Sequence, residues 1–228
     1  MKVGHILYKV ADLDKGVEDF RRQGFTVEYG TRKNRYNALI YFSEGPYLEL
    51  IGDVKLPAIL NFLLRLLGKG KLVERINSWH NSKEGLMALC LENYTQDLES
   101  EKTILKKHGQ SFFERNTKRL DTKKRSLKFR VLFPDEMKIP FLMTYFSIDP
   151  KPKGYVHPNG ISKIIGISFG TKEEYIPLIK ELCDDPTLKL CVGDEVTDME
   201  FEKDDGAIVP FTSTSIETNS KNQINLKL

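Results

Sequence analysis

A pattern that comes back along the chain constrains the fold more than any single residue does. Near the start, "VGHILYKV" is rich in β-branched and aromatic residues and reads as a strand. "DLDKGVEDFRRQG" follows as a helix with an aspartate cap at its start and Gly24 as its stop. The period then changes, and "FTVEYG", "NALIYFS" and "PYLELIG" read as short strands divided by turn residues such as Gly30, Asn34, Gly45 and Pro46. The same order returns with "GLMALCLEN", "DLESEKTILKKHG", "SFFERNTKR", "LKFRVLFPD" and "IPFLMTYFS". The two helices share a frame: Asp12 and Leu13 match Asp97 and Leu98, Phe20 matches Leu105 and Gly24 matches Gly109, each 85 residues on. A weaker third copy follows "HPNG", with strand "SKIIGISFG", helix "KEEYIPLIKELC", strands near 187 to 193 and 196 to 203, and a last strand "NQINLKL". One such unit cannot bury both a sheet face and a helix face, so units must pack together. The expected class is α+β, with repeated βαβββ modules forming curved mixed sheets around a cup-shaped pocket. The expected boundaries are 1–53 for the first module, 54–84 for a helical insertion, 85–149 for the second module and 158–228 for a degenerate third.

Bulk properties narrow the function. At 228 residues, 40% hydrophobic and 29% charged, the chain is long enough for a proper core. A formal charge of +3 is too mild for a nucleic-acid binder, which needs a strongly basic face and stacking aromatics. Cys90, Cys183 and Cys191 form no C-x-x-C pair, and the opening residues carry no apolar signal core, so a reducing cytoplasm is expected. "LPAILNFLLRLLGKGK" is broken by Asn61 and Arg65 and falls short of the roughly 20 residues of a spanning helix. Its Leu60, Leu63, Leu64 and Leu67 are expected to be buried on the domain or in a homodimer through residues 56–67.

Strand alternation then sorts the side chains into two faces. His5, Leu7 and Lys9 share one face, as do Tyr47, Glu49 and Ile51, and Asn37, Leu39 and Tyr41. The opposite sets are more uniformly apolar, as expected for a face packed on helices. Glu49 is thereby expected in a concave pocket with His5, with Leu7, Asn37, Leu39, Tyr41 and Tyr47 lining it. An imidazole and a carboxylate suit a divalent ion such as zinc, iron, manganese or nickel, open to vicinal oxygens of a small molecule. The plainer alternative is that His5 hydrogen-bonds a buried carbonyl and Glu49 pairs with Lys9 or Arg35.

"GHIL" near the start, "DLDKGVEDFRRQGF", "GTRKNRYNALIYF", "PYLELIG" and the later "HPNGI" resemble the glyoxalase-like domain family of the vicinal oxygen chelate superfamily. The resemblance extends to about residue 170. It implies paired βαβββ modules curled into a cup that holds a divalent metal, and a metal-dependent lyase, isomerase or dioxygenase acting on a small oxygenated molecule. It also implies a second pair of ligands from the partner module, yet Met143 and Asn225 stand where Glu49 would recur, and the later opening strands carry no histidine. A non-catalytic protein that sequesters a small molecule, as antibiotic-binding members of the superfamily do, is the alternative, and a structural homodimer is a third reading.

The remaining histidines and the basic run complete the candidates. His157, in the family-like "HPNG", is expected either to scaffold a turn or to line the pocket. His80 is placed in a polar connection, and His108 at a helix C-terminus where an imidazole suits the dipole. "RNTKRLDTKKRSLKFR" reads as a solvated hairpin, from which Arg115 or Arg130 is expected to bind an anionic group of the ligand if it points inward. No nucleophile elbow or phosphate loop is present in the sequence.

Overall fold

The computed structural model describes residues 1–33, 35–53, 57–194 and 196–212, with the backbone alone at 197. The expected last strand, with Asn225, therefore lies outside the described residues, as do Asn34 and Leu56. The chain opens with β1 (Lys2–Lys9), α1 (Leu13–Arg22), β2 (Glu28–Tyr29), β3 (Asn37–Ile40) and β4 (Tyr47–Ile51). Asp12 caps α1 by accepting a hydrogen bond from the Lys15 backbone N–H at 2.9 Å, and Gly24 leaves the helix with a φ of +82°. Two helices follow, α2 (Ala58–Leu66) and α3 (Gly70–Asn81). The strand–helix–strands order then recurs as β5 (Gly85–Asn93), α4 (Glu99–Lys107), β6 (Phe112–Leu120), β7 (Ser126–Pro134) and β8 (Phe141–Thr144). Last come β9 (Ile161–Thr171), a short 3-10 turn, α5 (Ile176–Leu182), β10 (Leu188–Val192), β11 (Val196–Lys203) and β12 (Ile208–Thr212).

The first eight strands form one mixed, curled sheet in the order β2-β3-β4-β1-β5-β8-β7-β6. Its two halves run outward from the central pair β1 and β5, which are antiparallel, while β1 with β4 and β5 with β8 are parallel. The other four strands form a second sheet, β10-β9-β11-β12. The second sheet and helices α1, α4 and α5 cover the convex face of the large one. Ile6, Tyr8, Ile40, Leu48 and Leu50 cluster there with Phe20, Leu105, Ile179, Phe201 and Phe211. Burial of that apolar surface, at roughly 25 cal/mol per Å2, is what holds the layers together.

The leucine-rich segment departs from expectation. α2 has no buried residue, and Ile59, Leu60, Phe62, Leu63, Leu66 and Leu67 are all exposed, Leu67 by 71%. Burial against the domain does not occur: α2 packs on α3, and of its residues Asn61 and Leu64 reach half-burial at most. His80 is also displaced from the expected connection, since α3 runs on to Asn81, and its ring faces Asp53. Among the described residues, no helix is long and apolar enough to cross a membrane.

Candidate functional site

Alternation carries through to the concave face. Leu7, Leu39, Tyr41, Tyr47 and Ile51 cluster there with Cys90, Phe141, Met143 and Phe146, while their strand neighbours join the convex core. His5 lies among them, 3% exposed, stacked on Tyr47 with ring centroids 4.7 Å apart and meeting the edge of Phe141 at 5.4 Å. β1 pairs Leu7 with Glu49, which brings the Glu49 carboxylate beside the same imidazole, its Oε2 3.6 Å from His5 Nε2. Asn37, on the next strand, donates from Nδ2 to Glu49 Oε1 at 2.7 Å.

Two residues that sequence reasoning passed over complete the cluster. Glu92, on β5, is 1% exposed and takes His5 Nδ1 at 2.8 Å. Cys90 is the register partner of His5, and its sulfur, one His5 ring nitrogen and a Glu92 oxygen all lie within 4.8 Å of one another. Both positions were legible in principle: Cys90 stands 85 residues after His5, the same offset that relates the helices, and Glu92 is two further along the same face. Gly4 makes the arrangement possible. It is the extra residue where the β1–β5 register shifts, and a Cβ there would fall inside the Glu92 side chain.

The third missed residue is Arg119. Within the basic hairpin it is the buried one, 8% exposed, its Nη2 donating to the Tyr41 hydroxyl at 3.1 Å and its guanidinium 5.3 Å from the Phe146 ring. Gly30 leaves room for it, because a Cβ at that glycine would stand 2.8 Å from Arg119 Nη1 and would collide with Asn37 Oδ1. The expected anion binders lie elsewhere. Arg115 shares the strand face of Arg119 but is exposed, and Arg130 alternates to the convex side and meets Glu114 at 3.4 Å. His157 is also on the convex side, between Phe25, Phe42 and Tyr155, where its Nδ1 accepts the Thr26 backbone N–H at 3.0 Å. Burial lowers its pKa to about 4, so the ring is neutral.

Charge shapes the concave cluster in the same way. Burial, then Glu92 and Glu49, push the Cys90 thiol and the Tyr47 hydroxyl well above their ordinary range, so both keep their protons. Burial also raises Tyr41, against the opposing pull of Arg119. Glu92 Oε2, Asn37 Oδ1 and Arg119 Nε are buried polar atoms with no hydrogen-bond partner among the described residues. Three such atoms in one cluster are unusual for a folded interior, where each costs about 1–3 kcal/mol. His5 Nε2 and the Glu49 carboxylate beside it are donors that fit a divalent cation of borderline to hard character. His5 has a carboxylate at each ring nitrogen, Glu92 at Nδ1 and Glu49 beside Nε2, so a cation could be held between Nε2 and Glu49. The partly exposed Glu49 side chain, at 13%, marks the open side of the site.

The family description "Glyoxalase-like domain" matches residues 3–182. Among solved structures, the Mn(II)-bound glyoxalase from Novosphingobium aromaticivorans is 8% identical with a TM-score of 0.54, covering 92% of this chain and 81% of that one. A catechol 2,3-dioxygenase is 11% identical with a TM-score of 0.44, covering 92% of this chain and 64% of that one. At such identity the first likeness shows the fold alone, and the second overlap is too loose to carry more. No curated protein sequence matches the chain significantly.

Proposed function

The chain belongs to the glyoxalase-like domain family of the vicinal oxygen chelate superfamily, and on that premise we propose that its cup binds a small oxygenated molecule at a divalent metal held by His5 and Glu49. The observation that carries this reading is the facing of His5 Nε2 and Glu49 Oε2 at 3.6 Å. That separation exceeds a hydrogen bond, yet it is close to the roughly 3.0–3.5 Å between two ligands each about 2.1 Å from one ion. When bound, such an ion acts as a Lewis acid toward vicinal oxygens.

The chain's own residues have separable tasks in this reading. Glu92 fixes the tautomer and orientation of the imidazole by accepting from Nδ1. Asn37 holds Glu49 through the 2.7 Å hydrogen bond and so sets which carboxylate oxygen is free. Tyr47 and Phe141 wall the imidazole and exclude water. Glu49 Oε2, the oxygen not held by Asn37, would hold the ion on the partly accessible side where a small oxygenated molecule could enter, in keeping with a metal-dependent lyase, isomerase or dioxygenase.

Metal analysis of protein purified without a chelating column tests this. One equivalent of manganese, zinc, iron or nickel is expected in the wild type, and less than about a tenth of that in His5→Ala and Glu49→Gln, a loss of the size expected when a ligand is removed. Metal-free wild-type protein that still binds a small ligand would replace catalysis with sequestration.

A further inference from the structure

Arg119 has no task in the metal site, and its surroundings are costly. A guanidinium carries five N–H donors and a fixed charge. Here it is 8% exposed and, among the described residues, makes one hydrogen bond, to the hydroxyl of Tyr41, while its Nε has no partner. Among the described residues, no carboxylate lies within 4.0 Å of it. Burial disfavours its charge while Tyr41 and, from a distance, Glu49 favour it, and its Nε–H still has no acceptor among the described residues. The guanidinium carbon stands 5.3 Å from the Phe146 ring centroid, a cation–π distance that leaves the N–H groups to find acceptors elsewhere.

Resting on the reading of the cup as a small-molecule site, we propose that Arg119 anchors a carboxylate of the bound molecule, and that Asn37 Oδ1 accepts a hydrogen bond from a hydroxyl beside that carboxylate. The ligand class is thus a small hydroxycarboxylic acid or a molecule with that grouping. Asn37 cannot turn its amide to satisfy Oδ1 internally, because its Nδ2 is committed to Glu49 at 2.7 Å. A donor on the ligand is therefore what the orphaned oxygen needs. Gly30 lets both groups sit side by side against its backbone, since a side chain there would overlap Asn37 Oδ1 and crowd Arg119 Nη1.

Arg119 is a buried cation, and a carboxylate is the ligand group that can meet its planar N–H fork with two parallel hydrogen bonds. A neutral diol offers that fork no opposite charge.

The test uses lactate, with lactamide as its neutral isostere and propionate as the acid without the hydroxyl. Zinc binding to the wild type is measured first by calorimetry, and each organic probe is then titrated into zinc-loaded and metal-free protein while the Arg119 Nε–H resonance is followed by NMR. Lactate is expected to shift that resonance saturably and to bind at least about ten-fold more tightly than lactamide, as a charge-assisted bidentate contact requires. Propionate is expected to fall between them. Arg119→Lys should weaken lactate about ten-fold while leaving zinc affinity within about three-fold, because the charge stays and the fork is lost. Tyr41→Phe, which removes only the hydroxyl that orients the guanidinium, gives a second readout, an expected weakening of lactate of at least about three-fold. Lactate and lactamide binding alike, a resonance that does not move, or lactate affinity unchanged in both variants would overturn the assignment of Arg119. Failure of zinc to bind would overturn the metal reading alone, since Arg119-dependent lactate binding is read separately on metal-free protein.

Discussion

The two faces of the large sheet bury two histidines in opposite ways. On the convex face His157 sits among Phe25, Phe42 and Tyr155, with one ring nitrogen accepting a backbone N–H. On the concave face His5 is stacked on Tyr47 but has a carboxylate at each nitrogen. Both rings are almost fully buried, so exposure does not distinguish them. The unspent polar capacity around them does. The concave cluster holds Glu92 Oε2, Asn37 Oδ1 and Arg119 Nε together without partners, whereas beside the convex core Asn93 Oδ1 and His157 Nε2 are such atoms among the described residues, on separate elements. A face built for stability spends its polar groups or avoids them, while a face built for a ligand holds them in reserve.

The sharpest way to break this contrast is to remove one apolar anchor from the convex side. Phe42 is fully buried, 4.9 Å from the His157 ring and 5.9 Å from Phe201. Phe42→Ala is expected to cost about 3–5 kcal/mol in chemical denaturation, the range for a large aromatic lost from a packed core. A cost below about 1 kcal/mol would mean that the convex layers do not carry the fold.

A smaller effect separates the two histidines by pH. Burial lowers the His157 pKa to about 4, whereas the unfolded chain titrates near 6.5. The unfolded state therefore binds more protons between these values, and stability falls as pH drops from about 6.5 to about 4. Above 6.5 the ring is neutral in both states and contributes no slope. The loss attributable to this ring is at most about 3 kcal/mol, read as the difference between wild type and His157→Gln across that range. Equal slopes in the two proteins would show that His157 is already solvated or charged in the fold.

The smallest effect, with the opposite sign, belongs to the concave face. Arg119→Met keeps the length and apolar stem of the side chain and removes a buried charge whose Nε–H has no acceptor among the described residues. Stability is expected to stay the same or to rise by about 1 kcal/mol, because replacing a poorly compensated buried ion by an apolar group is often neutral or favourable. A loss comparable to Phe42→Ala would make Arg119 a structural element and erase the difference between the faces.

Much of this was legible in the chain. The return of strand, helix and three strands gave the order of the first ten elements around α2 and α3, because β and α periods and cap residues are local properties. Alternation also placed His5, Asn37, Tyr41, Tyr47 and Glu49 on one face, since a period of two residues is fixed by backbone geometry. Composition misled at α2, where a row of leucines pointed to a buried helix and the structure leaves Leu66 and Leu67 exposed. The hairpin misled in a different way. Arg115, Arg119 and Arg130 are equivalent in composition, and only the curl of the sheet carries Arg119 under Phe146 while Arg115 stays exposed.

Sequence alone thus determined the elements, their repeat and which side chains share a strand face, because each depends on neighbours within a few residues along the chain. Tertiary structure decided which strands meet. Pairing β1 with β5 in antiparallel register, with Gly4 as the extra residue, sets Glu92 against His5 across 87 positions of sequence. No local period encodes that juxtaposition. It follows from closing long loops to bury the convex core, and the concave cluster inherits its geometry from that burial.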